Sequence, residues 1–146
     1  MTGLRFGEAQ ALEWKTDIDF EKKTLTVNKS MYYKSSEEFY LKTPKTRAGN
    51  RVIALDDNTV EYKRIWHDVQ SKNTPSNWIL SYNGLPTNKS APKHIIERHA
   101  KIASVHRIKT HALRHSHASL LISLGENAII IRDRLGHEDI ETTLGT

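Results

Sequence analysis

The sequence contains no cysteine. Disulfides and thiolate metal sites are therefore excluded, nothing argues for an oxidising compartment, and a cytoplasmic location is expected. No apolar run approaches the length of a membrane span, and the opening Met1-Thr2-Gly3-Leu4-Arg5 lacks the apolar core of a secretory signal, so no membrane partner is expected. No internal repeat, low-complexity tract or interdomain linker interrupts the 146 residues, so one globular domain is expected. Neither sign of charge dominates: 22 Lys and Arg against 17 Asp and Glu leave a formal net charge of +5 and a pI near 9.5. That balance favours a polyanionic partner without identifying one.

With 37% hydrophobic residues the chain can build a core. Gly7 to Trp14 reads as a short helix beginning almost at the terminus. After Asp17 come three short β-prone runs, around Leu25 and Val27, Phe39 and Leu41, and Val52, Ile53 and Leu55, read as a three-stranded antiparallel sheet. The basic turn between the second and third runs, Thr43 to Arg51, contains Gly49-Asn50, able to supply the positive φ of a hairpin. Asp56 or Asp57 caps a helix carrying Val60, Ile65, Trp66 and Val69, which Asn73-Thr74-Pro75-Ser76-Asn77 breaks. Trp78-Ile79-Leu80 is a short buried run before the turn residues Asn83-Gly84. Helices then span Ala91 to Ala103, Thr110 to Leu124, Ala128 to Leu135 and a short stretch from Glu138, with Gly125 and Gly136 where helices end. The fold class is α+β, mostly helical with a small three-stranded antiparallel sheet.

The most informative segment is His111-Ala112-Leu113-Arg114-His115. Positions three and four apart share a helix face, so His111, Arg114 and His115 point nearly one way. Such a face suits a phosphodiester: Arg can hold two non-bridging oxygens while His donates a hydrogen bond or relays a proton. The same residues could equally form a structural network. A metal site using His111, His115 and His117 lacks the Glu of H-E-x-x-H and an evident third ligand, so no metal or cofactor is expected.

This stretch resembles the H-x-L-R-H box of the tyrosine recombinase, or phage integrase, family, and the rest of that signature follows in order along almost the whole chain. Thr2-Gly3-Leu4-Arg5-Phe6-Gly7-Glu8 is similar to the first box, T-G-L-R-x-x-E, whose arginine contacts the scissile phosphate; Arg5 inherits that role. Leu41-Lys42-Thr43-Pro44-Lys45-Thr46, followed by Arg51-Val52-Ile53, resembles the hairpin whose lysine is general acid toward the leaving 5′ oxygen, assigned here to Lys45 with Lys42 as the alternative. Leu135-Gly136-His137 matches the L-G-H box, whose histidine hydrogen-bonds the phosphate. The resemblance thus implies catalytic roles for Arg5, Lys45, His111, Arg114 and His137.

It also implies a tyrosine nucleophile that forms a 3′-phosphotyrosyl link and releases a 5′ hydroxyl, with no ATP needed. That tyrosine would fall at position 146 or 147, and position 146 is Thr. Tyr32, Tyr33, Tyr40, Tyr62 and Tyr82 all precede the H-x-L-R-H box and are read as packing or surface residues. Residues 1–146 are therefore expected to be a partial catalytic domain, inactive alone, lacking the N-terminal DNA-binding domain and the tyrosine segment. The implied function is site-specific recombination of a mobile element, on double-stranded DNA attachment sites, by a homotetramer in the full-length protein and a monomer or weak dimer here. Two other readings stand beside it: a non-catalytic DNA-binding module, from the helix-turn-helix texture of residues 129–146, and a catalytically degenerate relative. Glu8 is read as a support for Arg5, and Asp17 and Asp19 as solvated or turn-forming.

Overall fold

The computed structural model describes residues 2–145. In chain order its elements are α1 (Phe6–Gln10), α2 (Trp14–Asp17), β1 (Ile18–Asp19), β2 (Thr24–Val27), β3 (Ser30–Tyr33), β4 (Phe39–Lys42), a 3-10 turn (Arg47–Gly49), β5 (Arg51–Ala54), α3 (Asp57–Asn73), α4 (Ala91–Ile102), α5 (Thr110–Ser123), α6 (Ala128–Leu135) and α7 (Ile140–Leu144). The α+β class and the mostly helical character expected from the sequence are what the chain adopts.

The three-stranded antiparallel sheet is present, in the order β1-β2-β5, with Leu25 opposite Ile53. The Phe39–Lys42 run is not part of it. That run pairs instead with Ser30–Tyr33, a strand the sequence pattern did not reveal, as a separate antiparallel ribbon. Cross-strand aromatics hold this ribbon: Tyr32 stacks on Tyr40 at 4.7 Å and Tyr33 on Phe39 at 6.2 Å. Its turn is a serine turn in which Ser35 Oγ accepts from the Glu37 and Glu38 N–H groups. The Thr43–Arg51 segment therefore crosses from ribbon to sheet. Gly49 sits in its 3-10 turn without a positive φ, and Asn50 is extended.

Strand β2, Thr-Leu-Thr-Val, buries every second residue, the period-2 pattern of a sheet with one covered face. Leu25, Val27 and Ile53 meet Leu12, Trp14, Leu55, Val60 and Ile79 in the larger core, and a smaller one gathers Ala118, Ile131 and Leu135. The helix expected from Gly7 to Trp14 is shorter, ending at Gln10. There the backbone leaves it for long-range partners: Leu12 O accepts from Ile79 N–H and Trp14 N–H donates to Asn77 O. Asp56 caps α3 as anticipated, accepting from Thr59 N–H at 2.8 Å, which contributes about 1 kcal/mol. Asp17 departs from expectation: it is buried and paired with Lys29 at 2.9 Å. Asp19 does form a turn, accepting from Glu21 and Lys22 N–H.

Among the described residues no helix is long and apolar enough to cross a membrane.

Candidate active site

Helix α5 delivers the first group of side chains. Its Arg114 is buried. The guanidinium Nη1 donates to Gly3 O at 2.6 Å and Nη2 to Leu135 O at 2.7 Å, tying the first sequence box to the end of α6. Two N–H groups of five are thereby used, and the others are left for a ligand. Burial, then the neighbouring Arg5 cation, lowers its pKa to about 10, so it stays charged at neutral pH. His111 and His115 lie on the same face, exposed, their rings meeting edge-on at 4.7 Å. Burial first, then the His115 and Arg114 charges, pushes the His111 pKa down.

Arg5 stands before α1 with its side chain about half exposed, 46%. Glu8, buried one turn on, accepts from the Arg5 backbone N–H at 2.8 Å and more distantly, at 3.3 Å, from Nη1. The supporting role read for Glu8 is thus what the geometry gives. A second arginine was not anticipated: Arg51 Nη1 and Nη2 each donate to one Glu8 oxygen, at 3.0 and 2.9 Å. Burial alone would raise the Glu8 pKa, but the bonds and charge of Arg51, then Arg5, hold it below the usual value. Glu8 is therefore an ionised carboxylate.

His137 follows Gly136, which takes a left-handed conformation at φ 67° and ends α6. The imidazole is buried, and its Nδ1 lies 2.9 Å from the hydroxyl of the fully buried Thr143. Burial, then Arg114 and Arg5, brings its pKa to about 4. The ring is neutral at pH 7, and in the tautomer whose Nδ1 accepts from Thr143 its Nε2–H is the free donor.

These groups share two adjoining hollows. The smaller, about 180 Å³, is lined by Arg5, His111, Arg114, His115 and His137, so four of the five residues assigned from sequence meet there. The larger, about 520 Å³, also has Arg5 and His137 in its wall, together with Lys42 and Lys45. Lys42 Nζ is 4.8 Å from the Tyr32 ring centre and 5.6 Å from that of Tyr40, a cation–π placement that holds it on the ribbon. Lys45 is exposed in the loop, which leaves it the freer of the two to reach a ligand.

Other candidates fall outside. Tyr32, Tyr33 and Tyr40 belong to the ribbon stacks, and Tyr82 packs on Trp66. Tyr62 is exposed on α3. Position 146 lies outside the described residues. His117 faces away from the hollows, buried, with Nε2 accepting from Arg134 Nε at 3.1 Å. No group of three or more His, Asp or Glu able to hold a metal ion occurs among the described residues.

Sequence reasoning missed Arg51, Thr143 and Lys29. Arg51 was visible only as part of the quoted hairpin motif. Thr143 was visible only within the Glu138 to Leu144 stretch that continues the family pattern, and Lys29, paired with Glu13 at 2.6 Å and with Asp17, carries no local signal.

Comparison with known proteins fits this arrangement. The chain is 32% identical over 152 residues to the ICEBs1 integrase of Bacillus subtilis (strain 168), covering 99% of this chain and 41% of that protein. It is 30% identical to the integrase of Staphylococcus phage L54a, covering 99% and 44%. The chain thus spans about two-fifths of the length of these curated relatives. The fold superposes on the Tn1549 transposon integrase, solved with a circular intermediate DNA, with a TM-score of 0.85 at 24% identity, over 99% of this chain and 50% of the other. The model of the phage integrase family matches residues 1–145, and the chain belongs to that family.

Proposed function

We propose that this chain forms the phosphate-binding catalytic face of a site-specific DNA recombinase that integrates and excises a mobile element in the cytoplasm. The observation that carries it is the convergence of Arg5, His111, Arg114 and His137, from three distant stretches of sequence, on one hollow, with Lys45 beside it. Two arginines present guanidinium groups to the non-bridging oxygens of a phosphodiester, and the neutral His137 donates from Nε2. Lys45, on its exposed loop, gives its proton to the departing 5′ oxygen. A tyrosine, the nucleophile that the family resemblance implies, attacks the phosphorus, so its oxygen–phosphorus bond forms as the 5′ oxygen–phosphorus bond breaks. The 3′-phosphotyrosine keeps the bond energy for rejoining.

The relatives carry the names of integrases, and the structural neighbour was solved on DNA; both support double-stranded DNA as the partner here. A homotetramer on two duplexes is the assembly that the family resemblance implies for the full-length protein.

The test uses the full-length protein and a nicked suicide duplex carrying its attachment site, run on a denaturing gel. A covalent protein–DNA adduct that disappears when the nucleophilic tyrosine is changed to Phe supports the proposal. DNA binding with no adduct would turn the reading to a degenerate relative or a binding module.

A further inference from the structure

We propose that Arg51 is the positioning residue of this site, holding Arg5 and His137 in one frame while leaving Arg5 free for phosphate. The catalytic part of this inference rests on the recombinase reading above. The Arg51 side chain is 6% exposed and contributes to the wall of neither hollow, so it acts through others. Its two Nη atoms grip both oxygens of Glu8, and its Nε donates to Arg134 O at 2.8 Å, just before the Leu135-Gly136-His137 turn. One planar fork thus joins the segment that presents Arg5 to the segment that presents His137. A lysine ammonium cannot reproduce three donors spread in a plane.

The packing is close. A Cβ on Gly136 would stand 2.7 Å from Arg51 Nη1 and 2.7 Å from Ala48 O, so the turn lies directly against this guanidinium. The division of Glu8 between its two arginines matters more. Arg51 takes both oxygens in short contacts, whereas Arg5 has one side-chain contact, at 3.3 Å. Glu8 is buried, and a buried carboxylate stripped of its main partner must be neutralised or find another cation. The nearest is Arg5. Without Arg51 the Arg5 guanidinium would be drawn down onto Glu8 and away from the hollow, while the turn carrying His137 would lose its tether.

The test compares wild-type full-length protein with Arg51→Met and Arg51→Lys by three measurements. These are the attachment-site duplex Kd by anisotropy, the single-turnover rate of adduct formation at saturating DNA, and the His137 pKa by NMR. For Arg51→Met the Kd should change less than threefold and the adduct rate fall about 100-fold. Added to Arg5→Ala, Arg51→Met should slow the reaction less than it does alone, because the part that acts through Arg5 is already lost and only the part through the His137 turn remains. Arg51→Lys keeps the charge beside Glu8 and serves if the Met variant does not fold. It should restore thermal stability but under a tenth of the rate, and a His137 pKa raised toward its ordinary value would report an opened turn.

Adduct rates within threefold of wild type in the folded variants, full additivity with Arg5→Ala, or an unchanged His137 titration in Arg51→Lys would each overturn the proposal. If wild type binds DNA without forming any adduct, the recombinase reading fails instead. The His137 titration then decides the role of Arg51 alone: raised in Arg51→Lys it supports the frame, and unchanged it refutes it.

Discussion

Arg5 and Arg114 carry the same assigned role, yet replacing them should have opposite consequences for the fold. Arg114 is buried and makes two bonds to backbone carbonyls, at 2.6 and 2.7 Å. A hydrogen bond from a charged donor contributes about 1.5–3 kcal/mol, and a buried acceptor left without a partner costs a similar amount. Allowing for relief of the buried cation, Arg114→Ala should destabilise by about 3–4 kcal/mol, which for a domain near this size lowers Tm by roughly 10 °C. Arg5→Ala removes a side chain that is about half exposed and a 3.3 Å ion pair, while the Arg5 backbone bond to Glu8 survives. Such a pair contributes at most about 1 kcal/mol. Urea unfolding followed by tryptophan fluorescence should therefore separate the two variants by about 2–3 kcal/mol, with Arg5→Ala close to wild type. Midpoints that coincide would refute the reasoning, because Arg114 would then not be a structural strut. For dissecting chemistry, Arg5→Ala is the cleaner substitution.

Gly136→Ala should cost more than Gly125→Ala, although both glycines have positive φ. Alanine in that region costs roughly 1–2 kcal/mol at either site, but the Cβ at Gly136 meets Ala48 O while that at Gly125 meets nothing within 4 Å; equal urea midpoints for the two variants would contradict the close packing. Stability should fall as pH drops from about 6.5 toward 4. His117 and His137 are buried with pKa values near 4 against an ordinary 6.5, so the unfolded chain binds more protons in that window, and each group contributes at most about 3 kcal/mol that is fully present above pH 6.5. A urea midpoint unchanged between pH 7.5 and pH 5 would rule this out. DNA affinity should weaken steeply with salt, log Kobs falling with log salt at a slope of roughly −3 for three or four phosphate contacts; salt-insensitive anisotropy titrations would show that Arg5 and Lys45 do not meet the backbone.

What the sequence made legible was local. Asp56 announces α3 because its carboxylate needs only Thr59 three residues on, and Gly125 and Gly136 mark helix ends because a left-handed residue is needed at each. The ribbon was half visible: Phe39 and Leu41 read as a strand, but Ser30-Met31-Tyr32-Tyr33 has no clean alternation and is fixed by cross-strand stacking. The early helix was overextended because Leu12 and Trp14 fit a helical spacing, while their backbone bonds go to residues more than sixty positions away. Asp17 looked like a surface residue because its partner Lys29 lies beyond β2, outside the reach of any local pattern.

The candidate site follows the same division. Arg5, His111, Arg114 and His137, which line the hollow, were named from sequence because each sits in a short local motif. Of the groups behind them Glu8 was named, within its motif, but Arg51 and Thr143 were given no role, because such partners are selected by geometry between segments. Yet those partners decide the electrostatics. No carboxylate lines the smaller hollow among its described residues; Glu8 stands in the wall of the larger one, with both its oxygens gripped by Arg51. Two guanidinium groups therefore share this hollow with Glu8 as a counter-ion largely committed to Arg51, and, after burial, the Arg5 charge contributes to the low pKa of Arg114, and the Arg114 and Arg5 charges to that of His137. Neutral imidazoles add donors there without adding charge. A phosphodiester entering this hollow would supply the missing negative charge, favouring its binding and raising the imidazole pKa values at the point where a proton donor is needed.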